Sequence, residues 1–154
     1  AERRMRDAPR SPFHGDFWQG NLWIGDEGLI VFDPIPNLHG PDVSANIGSI
    51  YYDIGYMVFS LWAVYPAWLL PLHRARWVRE LCAGFLAGYE EISRQTLNRT
   101  TIHVLALYWL DRYVELMPQR LGWAVATLRR PLIRTIRTRL LEETRRWAIT
   151  EKAT

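Results

Sequence analysis

Two long stretches of the chain repeat apolar residues at the spacing of a helix face. Between Arg74 and Ile92 these are Trp77, Val78, Leu81, Cys82, Phe85, Leu86, Tyr89 and Ile92. Between Thr100 and Met117 they are Ile102, Leu105, Ala106, Trp109, Leu110, Tyr113 and Val114. Each stripe predicts an amphipathic helix with its apolar side in the core, and Pro118 is expected to stop the second one. His103 lies beside that stripe and reads as a structural histidine. Two further helices are expected, from about Leu121 to Arg129, broken by Pro131, and from about Leu132 to Trp147. Ile54 to Leu72 is nineteen residues without a charge, which reaches transmembrane length. Gly55, Pro66 and Pro71 interrupt it and Asp53 sits at its lip, so a central helix buried by its own domain is the expected form. The period changes at one place. Leu22-Trp23-Ile24 and Leu29-Ile30-Val31-Phe32 flank Gly25-Asp26-Glu27-Gly28 and predict a β-hairpin.

The remaining segments are polar. Residues 1–12 are Arg-rich with Pro9 and Pro12, and read as a linker or the tail of a missing preceding helix. Residues 34–49 are rich in Pro, Gly, Asn and Asp and predict a loop. The expected architecture is one α+β domain over residues 13–154, mainly α-helical with one small hairpin: 13–33 loop and hairpin, 34–49 loop, 50–147 helical. At 154 residues with 49% hydrophobic content and 8 Trp, the chain is a globular protein with room for a proper core. Its single cysteine, Cys82, forms no internal disulfide and falls among core positions. No signal peptide is recognisable, and a cytoplasmic protein is expected. One Cys and four scattered His offer no ligand spacing for a His/Cys metal site. There is no G-x-S-x-G nucleophile elbow.

The hairpin changes the picture because of what flanks it. His14-Gly15-Asp16-Phe17-Trp18-Gln19-Gly20-Asn21 places an Asp and, five residues on, an Asn; Asp33 follows twelve residues later, closing the second apolar run. Phosphoryl transfer needs a carboxylate that takes or orients the acceptor hydroxyl, and an amide oxygen and a second carboxylate that hold Mg²⁺ against the nucleotide phosphates. Asp16 suits the first role, Asn21 and Asp33 the others. A hairpin folds the chain back, so Asp33 at its far end can return beside Asn21. The Asp-to-Asn spacing is that of the protein-kinase catalytic loop, with Gly15 where that pattern has Arg.

These motifs resemble the C-terminal lobe of the aminoglycoside phosphotransferase and choline kinase-like family, specifically over about residues 13–60 and loosely to about residue 118. Tyr52-Asp53-Ile54-Gly55 stands where the family has an Asp at the start of a buried helix. Trp18-x-Gly20-Asn21 and Phe32-Asp33-Pro34 lean towards the fructosamine kinase branch, although the segment after Pro34 departs from it. The resemblance implies a protein-kinase-like C-lobe, with ATP and Mg²⁺ as cofactors. It implies transfer of the γ-phosphate to a hydroxyl of a small molecule: a sugar, an aminoglycoside or a choline-like compound. Asp16 would be catalytic, Asn21 and Asp33 metal ligands, and His14 and Asp53 supports of the catalytic loop. His39 and Asp42 are alternative substrate contacts in a segment that otherwise reads as a surface loop.

Charge refines the expected partner. Among 19 Lys+Arg, Lys152 is the single lysine, and no Gly-rich phosphate loop precedes His14. The expected object is therefore a C-lobe without its nucleotide-clamping N-lobe, incomplete and inactive alone, with further nucleotide-binding residues unassigned. From Val78 onward bases outnumber acids, which disfavours a polycationic aminoglycoside and favours a neutral or anionic acceptor. The last helix carries Arg134, Arg137, Arg139, Arg145 and Arg146. Arg139–Glu143 and Glu142–Arg146 stand at i, i+4, leaving a solvated basic face as the simplest reading. Asp111 and Glu115 likewise read as solvated. No nucleic-acid motif is present, and no nucleic-acid partner is expected. Exposed apolar surface where a lobe is missing would allow a dimer. The alternatives are a non-catalytic nucleotide- or partner-binding module, and a membrane-peripheral helical protein.

Overall fold

The structure, a computed structural model, describes residues 10–26, 28–32, 47–63 and 74–153. Strand β1 (Arg10–Pro12) leads through a loop to a 3-10 turn at Gln19–Asn21 and the hairpin of β2 (Leu22–Gly25) and β3 (Gly28–Val31). Strand β4 (Ile47–Ser49) runs into helix α1 (Tyr51–Ala63), followed by α2 (Arg74–Ser93), α3 (Arg99–Leu121) and α4 (Trp123–Ala153). The protein is mainly helical with a small β component, the α+β class expected. Asp33, and the segment 34–46 with His39 and Asp42, lie outside the described residues, as do residues 64–72 of the uncharged run. Among the described residues no helix is long and apolar enough to cross a membrane.

Helix α1 carries no charge after Asp53 because the rest of it is surrounded. Ile54, Met57, Val58, Phe59, Leu61 and Trp62 are all buried, and α3 packs against both α1 and α4. Ile102, Ala106 and Leu110 of α3 are fully buried between them. Each large apolar side chain sequestered this way contributes about 1.5–3 kcal/mol. Gly55 permits the close approach of α1 to α3, since a Cβ there would lie 2.6 Å from Leu105 Cβ. Gly55→Ala is therefore expected to destabilise the fold by about 1–3 kcal/mol through overpacking, read as a lower urea midpoint. An unchanged midpoint would show that the two helices can separate without cost.

The start of α3 is held from three sides. Asn98 Oδ1 accepts from the Thr101 amide at 2.8 Å as an N-cap. Its own amide donates to the Tyr51 hydroxyl at 3.1 Å. Its side-chain nitrogen donates to Glu151 of α4 at 2.5 Å. His103 is buried with Nδ1 2.7 Å from the Arg99 carbonyl oxygen, the structural role expected of it. Burial lowers its pKa. Cys82 is buried as expected, and burial pushes its thiol up to about 12.

Four expectations need correction. Pro118 does not stop α3, which continues to Leu121. The stop is Gly122, whose φ of 78° is open to glycine and whose N–H donates to the Pro118 carbonyl at 3.1 Å. Nor does Pro131 break the last helices apart, since α4 is one helix of 31 residues. The ring sits on the exposed side, while Ala126, Ile136 and Leu140 stay buried on the inner face, so packing outweighs one lost backbone bond. The basic face pairs at i, i+3 instead of i, i+4: Arg139 with Glu142 at 2.9 Å and Arg146 with Glu143 at 3.7 Å. Glu143 is buried because Arg79 of α2 also reaches it, at 2.5 Å. Residues 10–12 and 47–49, read as linker and loop, are strands β1 and β4 paired antiparallel, with Ser11 opposite Gly48. Asp111 and Glu115 are exposed and meet Arg137 at 3.3 Å and Arg112 at 2.6 Å.

Candidate active site

The β1–β4 pairing places the chain entering the His14 loop beside the chain entering α1. Asp53, in the first turn of α1, then stands under that loop. Its carboxylate accepts from two consecutive amides, His14 N–H at 2.5 Å and Gly15 N–H at 2.9 Å. An Asp at the start of a helix ordinarily caps that helix. The contact near that helix start comes from Ser49 instead, whose Oγ accepts from the Tyr51 amide at 3.3 Å. Asp53 is part-buried, and burial raises its pKa against the opposing pull of the two amide bonds and the His14 charge.

Gly15 takes a φ of 82°, a left-handed conformation that explains glycine at this step of the loop. His14 ties the loop to the hairpin. The Asp16 amide donates to His14 Nδ1 at 3.3 Å, and His14 Nε2 lies 2.9 Å from the Phe32 carbonyl. An amide can only donate, so in the neutral ring Nδ1 accepts and Nε2 carries the proton given to Phe32. Phe17 and Leu22 pack on the core and anchor both ends of the turn. Gln19 and Ser60 hydrogen-bond side chain to side chain, fastening the 3-10 turn to α1.

Asp16 and Asn21 meet. The Asn21 side chain is buried, and its Nδ2 donates to the Asp16 carbonyl at 3.0 Å and to Asp16 Oδ2 at 3.1 Å. With the nitrogen so used, Asn21 Oδ1 is the atom left to act as a hard oxygen ligand. The hairpin pairs Leu22 with Val31 and Gly25 with Gly28. One further bond, Phe32 N–H to the Asn21 carbonyl at 3.1 Å, carries the pairing to the residue before Asp33. Asp33 itself is outside the described residues. Among those described, no three of His, Cys, Asp or Glu gather as a metal site.

Beside Asp16 a half-open cavity of about 270 Å³ lies between α1 and α3, lined among others by Tyr52, Tyr56, Trp109, Arg112 and Arg120. The Tyr56 phenol lines this cavity together with Asp16. Burial first, then the Asp16 charge, raise its pKa, with Arg120 pulling the other way. Burial also pushes Tyr52 up to about 12. Sequence reasoning missed these residues. Trp109 and Tyr113 read as core, and the available signal was Tyr52, Tyr56 and Phe59 sharing one face of a mostly apolar helix. A larger cavity of about 420 Å³ sits among α2, α3 and α4, away from the loop. Two of its lining arginines are ion-paired, Arg79 with Glu143 and Arg99 with Glu90.

Comparison with protein-family models, with curated proteins and with solved structures gives no match, so the site is read from its own geometry.

Proposed function

We propose that this chain is the C-terminal lobe of a kinase-like phosphotransferase, moving the γ-phosphoryl group of ATP to a hydroxyl of a small molecule. One observation carries the reading: the Asp53 carboxylate grips the His14 and Gly15 amides while the Asn21 carboxamide is held on Asp16. A loop so over-determined presents Asp16 at a fixed place, which is what a reaction governed by positioning requires. Asp16 receives the hydrogen bond of the acceptor hydroxyl and takes its proton as the acceptor oxygen bonds to phosphorus. The bond from phosphorus to the bridging oxygen breaks, and ADP leaves. Asn21 orients the carboxylate through its hydrogen bond, and the Tyr56 phenol lines the cavity beside it. His14 keeps the end of the hairpin against the loop.

The donor set fits Mg²⁺: Asn21 Oδ1 accepts no hydrogen bond among the described residues, and Asp33 follows the residue bonded to the Asn21 carbonyl. Bound there, the ion would neutralise phosphate charge. The reading is tested on the full gene product with γ-labelled ATP, Mg²⁺ and a panel of hydroxylated compounds. At least one compound is expected to be labelled, and Asp33→Ala to end the labelling. No labelled compound, or full labelling with Asp33→Ala, would sink it.

A further inference from the structure

The cavity beside Asp16 has a charge pattern that says what can enter it. Its walls are aromatic: Trp109 packs at 4.9 Å from Tyr52 in a T-shaped pair and at 4.7 Å from Tyr56, and Tyr113 stands 5.9 Å from Phe59. Aromatic faces of this kind can serve the ring of a sugar or a cation. The ionised groups lining the cavity decide between them. Asp16 is the one carboxylate among the lining residues, and Arg112 and Arg120 are the two cations. Arg112 is shared with Glu115 through one nitrogen. Arg120 meets no carboxylate among the described residues. The Tyr56 phenol lines the same cavity as Asp16 and Arg120.

Resting on the phosphotransferase reading above, we infer that this cavity is the acceptor subsite and that it selects small hydroxyl compounds bearing a phosphate or carboxylate. The hydroxyl faces Asp16, the ring or chain lies against Tyr52, Tyr56 and Trp109, and the anion is met by Arg112 and Arg120. A guanidinium fork matches phosphate and carboxylate oxygens. A polyamine or quaternary ammonium would meet two like charges, which outweigh a cation–π attraction. The half-open cavity, about 270 Å³, has room for one small ring and its substituents.

The test is calorimetric titration of the full gene product with polyols and hexoses, each in neutral, amino, phosphate and carboxylate form. In parallel, each is assayed for label transfer from γ-labelled ATP. The anionic forms are expected to bind about 10- to 100-fold tighter than their neutral partners, the scale of charge-assisted hydrogen bonds. The double variant Arg112→Ser, Arg120→Ser should lose that preference. Both side chains are exposed, and an unchanged helical signal would verify the fold. Neutral or amino forms binding as well as anionic ones, no anionic form binding, or an unaltered preference in the variant would each overturn the inference. Transfer to a neutral or amino compound would overturn it while leaving the phosphotransferase reading intact. Anion-selective binding without any transfer would uphold the charge preference of the cavity and remove the kinase.

Discussion

Asp16→Asn is expected to lower the rate of phosphoryl transfer by about 10²–10⁴-fold, the contribution of a positioned general base, with little change in folding stability. The two effects separate because of how Asp16 is held. Asn21 Nδ2 donates to Asp16 Oδ2 and to the Asp16 carbonyl, and an amide at position 16 still offers one oxygen to that donor. The variant therefore keeps the shape of the loop and loses only the capacity to accept a proton. The measurement pairs single-turnover transfer with urea unfolding of the same preparation. Equal turnover would remove Asp16 from the chemistry, and a collapse of stability would make it a structural residue.

The second large effect belongs to Asp53. Asp53→Ala leaves the His14 and Gly15 amides without their acceptor, at about 1–3 kcal/mol for each orphaned donor. Stability should fall by about 2–5 kcal/mol, and activity with it, because the loop carrying Asp16 loses its brace. Asp53→Asn keeps one acceptor oxygen and should cost less. The pH dependence has a definite sign. Burial raises the Asp53 pKa in the fold above its ordinary value, so the folded state binds the proton more tightly than the unfolded chain. The stability it contributes is complete below the usual aspartate range and declines as pH rises through the folded-state pKa. The stability gap between wild type and Asp53→Asn should accordingly narrow from pH 4 to pH 7 in urea titrations. A gap that widens instead would mean that the two amide bonds outweigh burial.

The hairpin and the loop were legible in the sequence because their signals are local. Gly25 and Gly28 punctuate two apolar runs, and the His14–Asn21 spacing is a matter of neighbours along the chain. The two amphipathic stripes were legible for the same reason. What escaped depends on partners distant in sequence. Arg10–Pro12 carries no strand period and becomes β1 only because Ile47–Ser49 lies beside it. Pro131 reads as a break, yet Ile136 and Leu140 bury against the body of the protein and hold α4 together across it. Glu143 was assigned to a surface pair, but Arg79 of another helix draws it inside. The Arg112 and Arg120 rim was invisible because the cavity is made by two helices meeting. Asp33, legible by spacing, falls outside the described residues.

Strands β2 and β3 form a sheet of two, with no third strand beside either among the described residues. Trp23 and Ile24 are 64% and 84% exposed, and Leu29 and Ile30 are more than half open to water. Such an edge is a template for another extended chain. A net charge of only +3 gives copies of this protein a weak mutual repulsion, which salt screens within about 8–10 Å. Raising ionic strength is therefore expected to push this molecule towards association at the ribbon that adjoins the Asp16–Asn21 loop.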